Sequence, residues 1–271
     1  MQEKVTIQQF LECKGYLGLH EEYIERAPKE LQENIDKKYQ VTVLCLKYGE
    51  KYGTDYVNKL YNMVSRNIKI NYEFVCITEN PIGLNKKIRI IPLEINPEIE
   101  GWWYKPFVFS RELDIRTDTV LFLDLDVIIF NSIDKFFEYK PDENFIAIKG
   151  FTIKNTKGIN SSCFRFNRSN YFHLYDDYIK NYTNIIKEYV GDQDWINDNV
   201  NSYYWPKLWV QSFKHDMMEW PENRIVKDPQ NIRKIFSSRE PIVKERSAIA
   251  VFHGRPNPHE LNNKWCIKHW K

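Results

Sequence analysis

The sequence predicts an α/β fold in which a mostly parallel central sheet is flanked by helices. Three observations carry this. From residue 40 onward, apolar strand-like runs alternate with amphipathic helical runs. The strand-like runs are apolar on both faces, as strands covered by helices on both sides must be. Gly and Pro fall between the runs, at Gly49, Gly53, Pro81 and Gly83.

In chain order, residues 41–46 read as a buried strand and residues 56–68 as an amphipathic helix. Residues 72–77 and 88–91 read as the second and third strands. A helix is expected over 105–113 and a fourth strand over 120–123. Strands are then expected over 145–148 and 163–166, a helix over 169–189, and a last buried strand over 247–252 that ends at His253. Residues 1–39 are polar and helix-prone and read as an N-terminal helical extension; residues 40–271 read as the α/β domain. In an open parallel sheet, ligands bind beyond the carboxyl ends of the strands.

Composition narrows the function. The chain has 271 residues, 42% hydrophobic and 28% charged, enough for a packed core. Lys and Arg number 39 against 37 Asp and Glu, which gives no electrostatic case for a nucleic-acid binder. No apolar run approaches the roughly 18 residues of a membrane span. The start, Met1-Gln2-Glu3-Lys4, leads into no apolar signal core, so the expectation is a cytoplasmic protein. Cys13, Cys45, Cys76, Cys163 and Cys266 include no CxxC pair and read as inert core thiols. The bias toward Asn, Ile, Lys and Tyr suggests an AT-rich bacterial or viral genome.

The most informative segment runs from Thr119 to Phe130, where Asp124 and Asp126 interrupt an apolar stretch. In extended chain, residues two apart point the same way, so the two carboxylates converge. At about 4 Å and an effective dielectric near 20 they repel by roughly 4 kcal/mol, and a divalent ion removes that repulsion. All-oxygen ligands favour Mg²⁺ or Mn²⁺. The alternative is that one Asp caps the next turn and the other pairs with Arg111 or Arg116. His253, at the end of an apolar strand and followed by Gly254, is expected at the same sheet edge. It is either a further metal ligand, favouring Mn²⁺, or a structural histidine. The carboxylates of Asp192-Gln193-Asp194 either accept hydrogen bonds from sugar hydroxyls or start a helix. Trp195, Tyr203, Tyr204, Trp205 and Trp209 form either an acceptor platform or core, and Trp102-Trp103 carries the same ambiguity. Lys207 and Lys214 are either solvated or contacts for a phosphate or acidic acceptor.

These segments together resemble a known family. Trp102-Trp-Tyr-Lys105-Pro-Phe, Asp124-Leu125-Asp126 and Asn131-Ser-Ile-Asp134 are followed by Gly158-Ile-Asn160-Ser161-Ser162, Gly191-Asp192-Gln193-Asp194-Trp195 and His253-Gly254. In this order they resemble the GT-A nucleotide-sugar glycosyltransferases, closest to the family 8 group of glycogenin and lipopolysaccharide galactosyltransferases. The likeness runs from about Val41 to Pro258. It implies a GT-A fold and a metal-dependent transfer of sugar from a nucleotide-diphosphate sugar, UDP being favoured by the likeness and by Tyr48.

The resemblance assigns Asp124, Asp126 and His253 to the metal, with Asp124 also near the ribose and Leu125 beside the nucleotide. Leu46, Lys47 and Tyr48 would form the base pocket, and Lys105 would approach the donor. Asn160, Asp192 and Gln193 would line the donor sugar, and Gln193, Asp192 and Asp194 are the candidate catalytic residues. Gln193 matches the residue facing the anomeric centre in retaining relatives; a neutral amide is a poor nucleophile, so front-side attack by the acceptor is an equal alternative. The family's diphosphate-binding Lys is missing from Gly254-Arg255-Pro256-Asn257-Pro258, where Arg255 is its candidate substitute. Ser162 replaces a family Gly, so a tighter backbone approach is expected there.

The implied partners are a nucleotide-sugar donor and a glycan, lipid-linked sugar or glycoprotein acceptor. The basic, Trp-containing C-terminus suggests a peripheral membrane contact. Two other readings compete: a haloacid-dehalogenase-type phosphatase using the DxD pair, and a non-catalytic carbohydrate-binding protein. The phosphatase pattern sits near the start of its domain and carries Thr or Val where this chain has Ile128.

Overall fold

The computed structural model describes residues 39–151, 158–219 and 229–271. The helices expected in the N-terminal extension, and Cys13, lie outside the described residues.

The strands and the first helix of the first half fold as the periodicities predict. β1 (Val41–Lys47), β2 (Tyr72–Thr78), β3 (Arg89–Pro92) and β4 (Thr119–Leu123) are linked through helix α1 (Thr54–Asn67) and a 3-10 helix, Gly101–Phe109. β1 is buried throughout. Its alternate side chains serve two cores: Val43 and Cys45 pack toward α1, whereas Leu44 and Leu46 pack with Trp103, Tyr104 and Phe109. That two-sided burial is why the strand reads as an unbroken apolar run. α1 buries Tyr56, Val57, Leu60, Met63 and Val64, one stripe at helical spacing. The α-helix expected over 105–113 is instead the earlier 3-10 segment, which contains Pro106. Pro106 has no N–H for an α-helical bond and its ring crowds the preceding turn.

The main sheet has the order β3-β2-β1-β4-β7-β6-β8, adding β6 (Phe145–Lys149), β7 (Ile159–Asn167) and the two-residue β8 (Tyr203–Tyr204). β1 pairs in parallel with β2 and β4, and β3 with β2; β7 runs antiparallel to β4 and β6. The chain therefore moves outward from β1 to β3 and returns to β4 on the other side of β1. Such a reversal opens a crevice at the carboxyl ends of β1 and β4. A second sheet, β5-β10-β9, joins β5 (Val127–Ile129), β9 (Val210–Ser212) and β10 (Ile249–Val251). β10 falls within the last strand expected from the sequence, whereas β5 and β9, three residues each, are absent from the sequence reading. β10 pairs antiparallel with β5, Val251 opposite Val127. The Phe252 N–H donates to the Asp126 carbonyl at 3.0 Å.

Helices α2 (Lys135–Glu138), α3 (Phe172–Glu188), α4 (Asp192–Asn199), α5 (Pro229–Ser237) and α6 (Lys264–His269) are the remaining α-helices among the described residues. The turn between α2 and β6 is organised by Arg165 of β7, whose side chain is almost fully buried. Its guanidinium donates to the carbonyls of Phe136, Phe137, Tyr139, Lys140 and Glu143 at 2.6–3.2 Å. Lys140 has φ 45°, a conformation that costs a non-glycine residue energy and that this cage of bonds holds in place. The sequence reading did not single out Arg165.

Three ambiguities resolve here. Trp195 and Trp205 are buried in different cores, and Trp209 packs on Phe136 and Tyr139, so these rings are core rather than one platform. Trp103 is buried, whereas Trp102 is 54% exposed. The C-terminal tryptophans face the protein: Trp265 packs on Phe130 and Phe213, and Trp270 on Tyr56, with Lys59 Nζ 3.4 Å from its ring. Arg66 ties the last turn down by donating to the carbonyls of Lys271 and His269. The expected membrane contact of this tail has no structural support, since both indoles are used inside. No helix among the described residues is long and apolar enough to cross a membrane. Cys45, Cys76, Cys163 and Cys266 are buried and free, as core thiols.

Candidate functional site

A cleft of about 150 Å³ opens at the carboxyl ends of β1 and β4. Leu46, Tyr48, Lys51, Tyr52, Trp102, Lys105, Phe122, Asp124, Leu125 and Asp126 line it. Five sequence-predicted residues besides Asp126 meet there: Leu46, Tyr48, Lys105, Asp124 and Leu125.

Asp124 and Asp126 sit where β4 gives way to β5. The Asp124 N–H donates to the Ser162 carbonyl at 2.9 Å, which pins the turn against β7. Lys105 Nζ lies 2.9 Å from Asp124 Oδ1 and 3.5 Å from Asp192 Oδ2. It also donates to the Ser161 hydroxyl and carbonyl at 3.1 and 3.3 Å. Burial pushes its pKa down, but Asp124 and then Asp192 outweigh burial and hold it above the ordinary lysine value. Neither Arg111 nor Arg116 takes a DxD carboxylate: Arg111 pairs with Asp176, and Arg116 lies beside Glu73.

Asp126 has a different environment. It accepts a hydrogen bond from the Tyr52 hydroxyl at 2.9 Å, and that hydroxyl also reaches Asn257 Oδ1 at 3.3 Å. Burial, then repulsion from Asp124, pushes its pKa up to about 7. Burial and the neighbouring Asp126 raise Tyr52 above the ordinary phenol value, which keeps its proton on as a donor. Tyr48 is pushed up to about 12 by burial, with Lys105 opposing, and its ring lies 5.2 Å from that of Tyr104.

The α4 segment joins the site through β7. Asp192 opens α4 and is buried; the Ser161 hydroxyl donates to it at 3.1 Å. Burial raises its pKa, with Lys105 opposing. Gln193 Oε1 accepts from Asn160 Nδ2 at 3.1 Å and from the Ser161 N–H at 3.2 Å. Lys105 and Ser161 thus link the DxD turn to the start of α4.

Other expected residues stand apart. Lys47 points away from Leu46 and Tyr48, as strand alternation requires, and its Nζ lies 3.7 Å from Glu79. Asp194 is exposed on α4, and Gly254 and Arg255 are exposed beyond β10. His253 follows β10 beside the DxD backbone, but its Nε2 lies 2.6 Å from the Ser212 hydroxyl. Its ring stacks on Phe151 and His215. Burial, then Lys214 and His215, pushes its pKa down to about 4, so the imidazole is neutral near pH 7. The sequence reading missed Lys51, Tyr52 and Phe122. The Tyr52 signal was its place in the glycine-bracketed loop after β1, at the sheet edge where ligands bind.

Among the described residues, no three His, Cys, Asp or Glu side chains are gathered closely enough to hold a metal ion. The donor chemistry nonetheless fits one. Two carboxylates share an edge, and of the two only Asp124 has a cationic partner within ion-pair distance among the described residues; the raised pKa of Asp126 records charge that a hard dication would relieve.

No family model matches the chain, and no curated protein matches it by sequence. Solved structures do. The galactosyltransferase LgtC, in complex with donor and acceptor sugar analogues, is 14% identical with a TM-score of 0.54, over 80% of this chain and 88% of that one. The glycosyltransferase GlyE of Streptococcus pneumoniae is 14% identical with a TM-score of 0.55, over 81% of this chain and 56% of that one. The bifunctional glycosyltransferase WbbM is 12% identical with a TM-score of 0.55, over 86% and 51%. The chain has the GT-A fold that these glycosyltransferases share.

Proposed function

We propose that this protein is a metal-dependent glycosyltransferase that moves a sugar from a UDP-sugar to a glycan, lipid-linked or protein acceptor. The observation that carries the reading is the convergence of Asp124, Asp126, Lys105 and Tyr48 on one cleft at the switch point of a GT-A sheet.

Tyr48, at the end of β1, offers its ring to the uracil. Asp124 and Asp126 would hold Mn²⁺ or Mg²⁺, with His253 joining them on releasing Ser212. A bound dication supplies Lewis-acid stabilisation of the leaving diphosphate. Lys105 holds Asp124 and Asp192 in a fixed relation, and Lys51 presents an ammonium at the exposed wall of the cleft. The anomeric carbon–oxygen bond to diphosphate breaks as the acceptor oxygen bonds to carbon, through an oxocarbenium-like transition state. Gln193 Oε1 is occupied by two donors, which favours a positioning role over nucleophilic attack. With front-side attack the acceptor proton passes to the leaving phosphate oxygen, and the sugar is transferred with retention.

Two experiments bear on this. In a thermal-shift screen, UDP and UDP-sugars are expected to raise the melting temperature in Mn²⁺ and not in EDTA. No shift with any nucleotide sugar would sink the reading. Phosphate release that does not depend on a nucleotide sugar would instead favour the phosphatase. Gln193→Ala is expected to lower kcat by more than about tenfold with nucleotide affinity nearly unchanged, because the amide acts at the sugar. A loss confined to UDP affinity would place Gln193 outside the sugar site.

A further inference from the structure

Trp102 stands out among the residues of the cleft. It is 54% exposed, although the neighbouring Trp103, Tyr104 and Lys105 of the same 3-10 segment are buried. Exposing an indole forgoes a large hydrophobic gain, so an exposed aromatic on a cleft wall marks a contact surface. Its other neighbour is Gly191, the residue before Asp192. A β-carbon at Gly191 would lie 3.2 Å from the indole Nε1 and 3.5 Å from Cδ1. Gly191 has φ −163°, an extended conformation open to any residue, so the constraint on it is the space beneath the ring.

We infer that Trp102 is the aromatic platform for the donor's sugar ring, resting on Gly191 so that the ring reaches from the nucleotide cleft to the Asp192–Gln193 turn. The inference rests on the proposed glycosyl transfer. A pyranose presents an apolar C–H face and a rim of hydroxyls. Its complement is an aromatic face beside a few placed acceptors. Trp102 supplies the face, and the adjoining turn carries the half-buried Gln193 and the buried Asp192, which Ser161 and Lys105 hold in place. The nucleobase has its own candidate in Tyr48, which packs with Tyr104. Gly191 sets the depth of the platform, because any side chain there lifts or tilts the indole.

The test is calorimetric titration of the full chain in Mn²⁺ with UDP, UDP-glucose and UDP-galactose. Trp102→Ala is expected to weaken whichever UDP-sugar the native protein binds by about tenfold, the scale of one aromatic contact, and UDP itself by less than about twofold. Trp102→Phe keeps a ring and is expected to retain most of the sugar affinity. Gly191→Ala, which leaves the indole in place but shifts it by a few tenths of an ångström, is expected to weaken the UDP-sugar in the same direction and by less than Trp102→Ala. Equal weakening of UDP and UDP-sugar by Trp102→Ala would put the ring on the nucleotide and overturn the assignment, as would unchanged binding of both. If the native protein binds UDP but Trp102→Ala shows either pattern, the platform fails and the glycosyltransferase reading stands. If the native protein binds no nucleotide or nucleotide sugar, both fail.

Discussion

Asp126→Ala is expected to abolish Mn²⁺-dependent binding of UDP, with affinity in calorimetry falling more than about a hundredfold. Loss of an outer-shell partner alone weakens metal sites by about 10–100-fold, and a direct ligand costs more. The structure adds a second signature. Asp126 is half-buried and its pKa is pushed up to about 7 by burial and by Asp124, so its charge works against the metal-free fold. Removing the carboxylate should therefore leave the melting temperature of the metal-free protein unchanged or higher, while binding disappears. Asp126→Asn keeps an acceptor for the Tyr52 hydroxyl and removes the charge, so it should lose the metal response as well. Undiminished UDP binding by either variant in Mn²⁺ would remove the metal assignment. A variant that melts early would show that Asp126 serves the fold through Tyr52.

Arg165→Met is expected to be the most destabilising single change in the described domain, at about 3–5 kcal/mol. Methionine fills much of the volume but leaves the carbonyls of Phe136, Phe137, Tyr139, Lys140 and Glu143 without their shared donor. Each buried acceptor deprived of a partner costs about 1–3 kcal/mol, and the costs are not additive because some carbonyls relax toward water. Lys140 would also lose the contact that holds its positive φ. For a domain of this size the loss corresponds to a fall in melting temperature of about 10 °C. A change below about 2 °C in scanning calorimetry would show that the turn is held by Phe136 and its aromatic neighbours instead.

The legible parts of the molecule share one property: they are long enough for a period to repeat. β1, β2, β4 and α1 announced themselves as continuous apolar runs or a helical stripe. β5, β8 and β9 span two or three residues and carry no period. The 3-10 helix was misplaced because Pro106 divides its apolar run, and helical spacing does not distinguish α from 3-10 geometry. Asp124 and Asp126 were conspicuous because paired carboxylates at the end of an apolar strand demand a reason. Arg165 looked ordinary, and Tyr52 had only its place in a glycine-bracketed loop to mark it. An arginine among strand residues and a tyrosine in a loop acquire roles only from partners distant in the chain, such as Asp126, 74 positions after Tyr52.

Residue order along the chain alone determined that this is an α/β protein with a doubly covered sheet and that two carboxylates end its fourth strand. Both follow from local rules, the alternation of side chains and the cost of burying charge. Tertiary structure alone decided that Lys105 joins Asp124 to Asp192, that His253 meets Ser212, and that Trp102 faces outward over Gly191 while Trp103 turns in. Those outcomes depend on which strands become neighbours when the chain doubles back across β1, a long-range choice that no local pattern encodes.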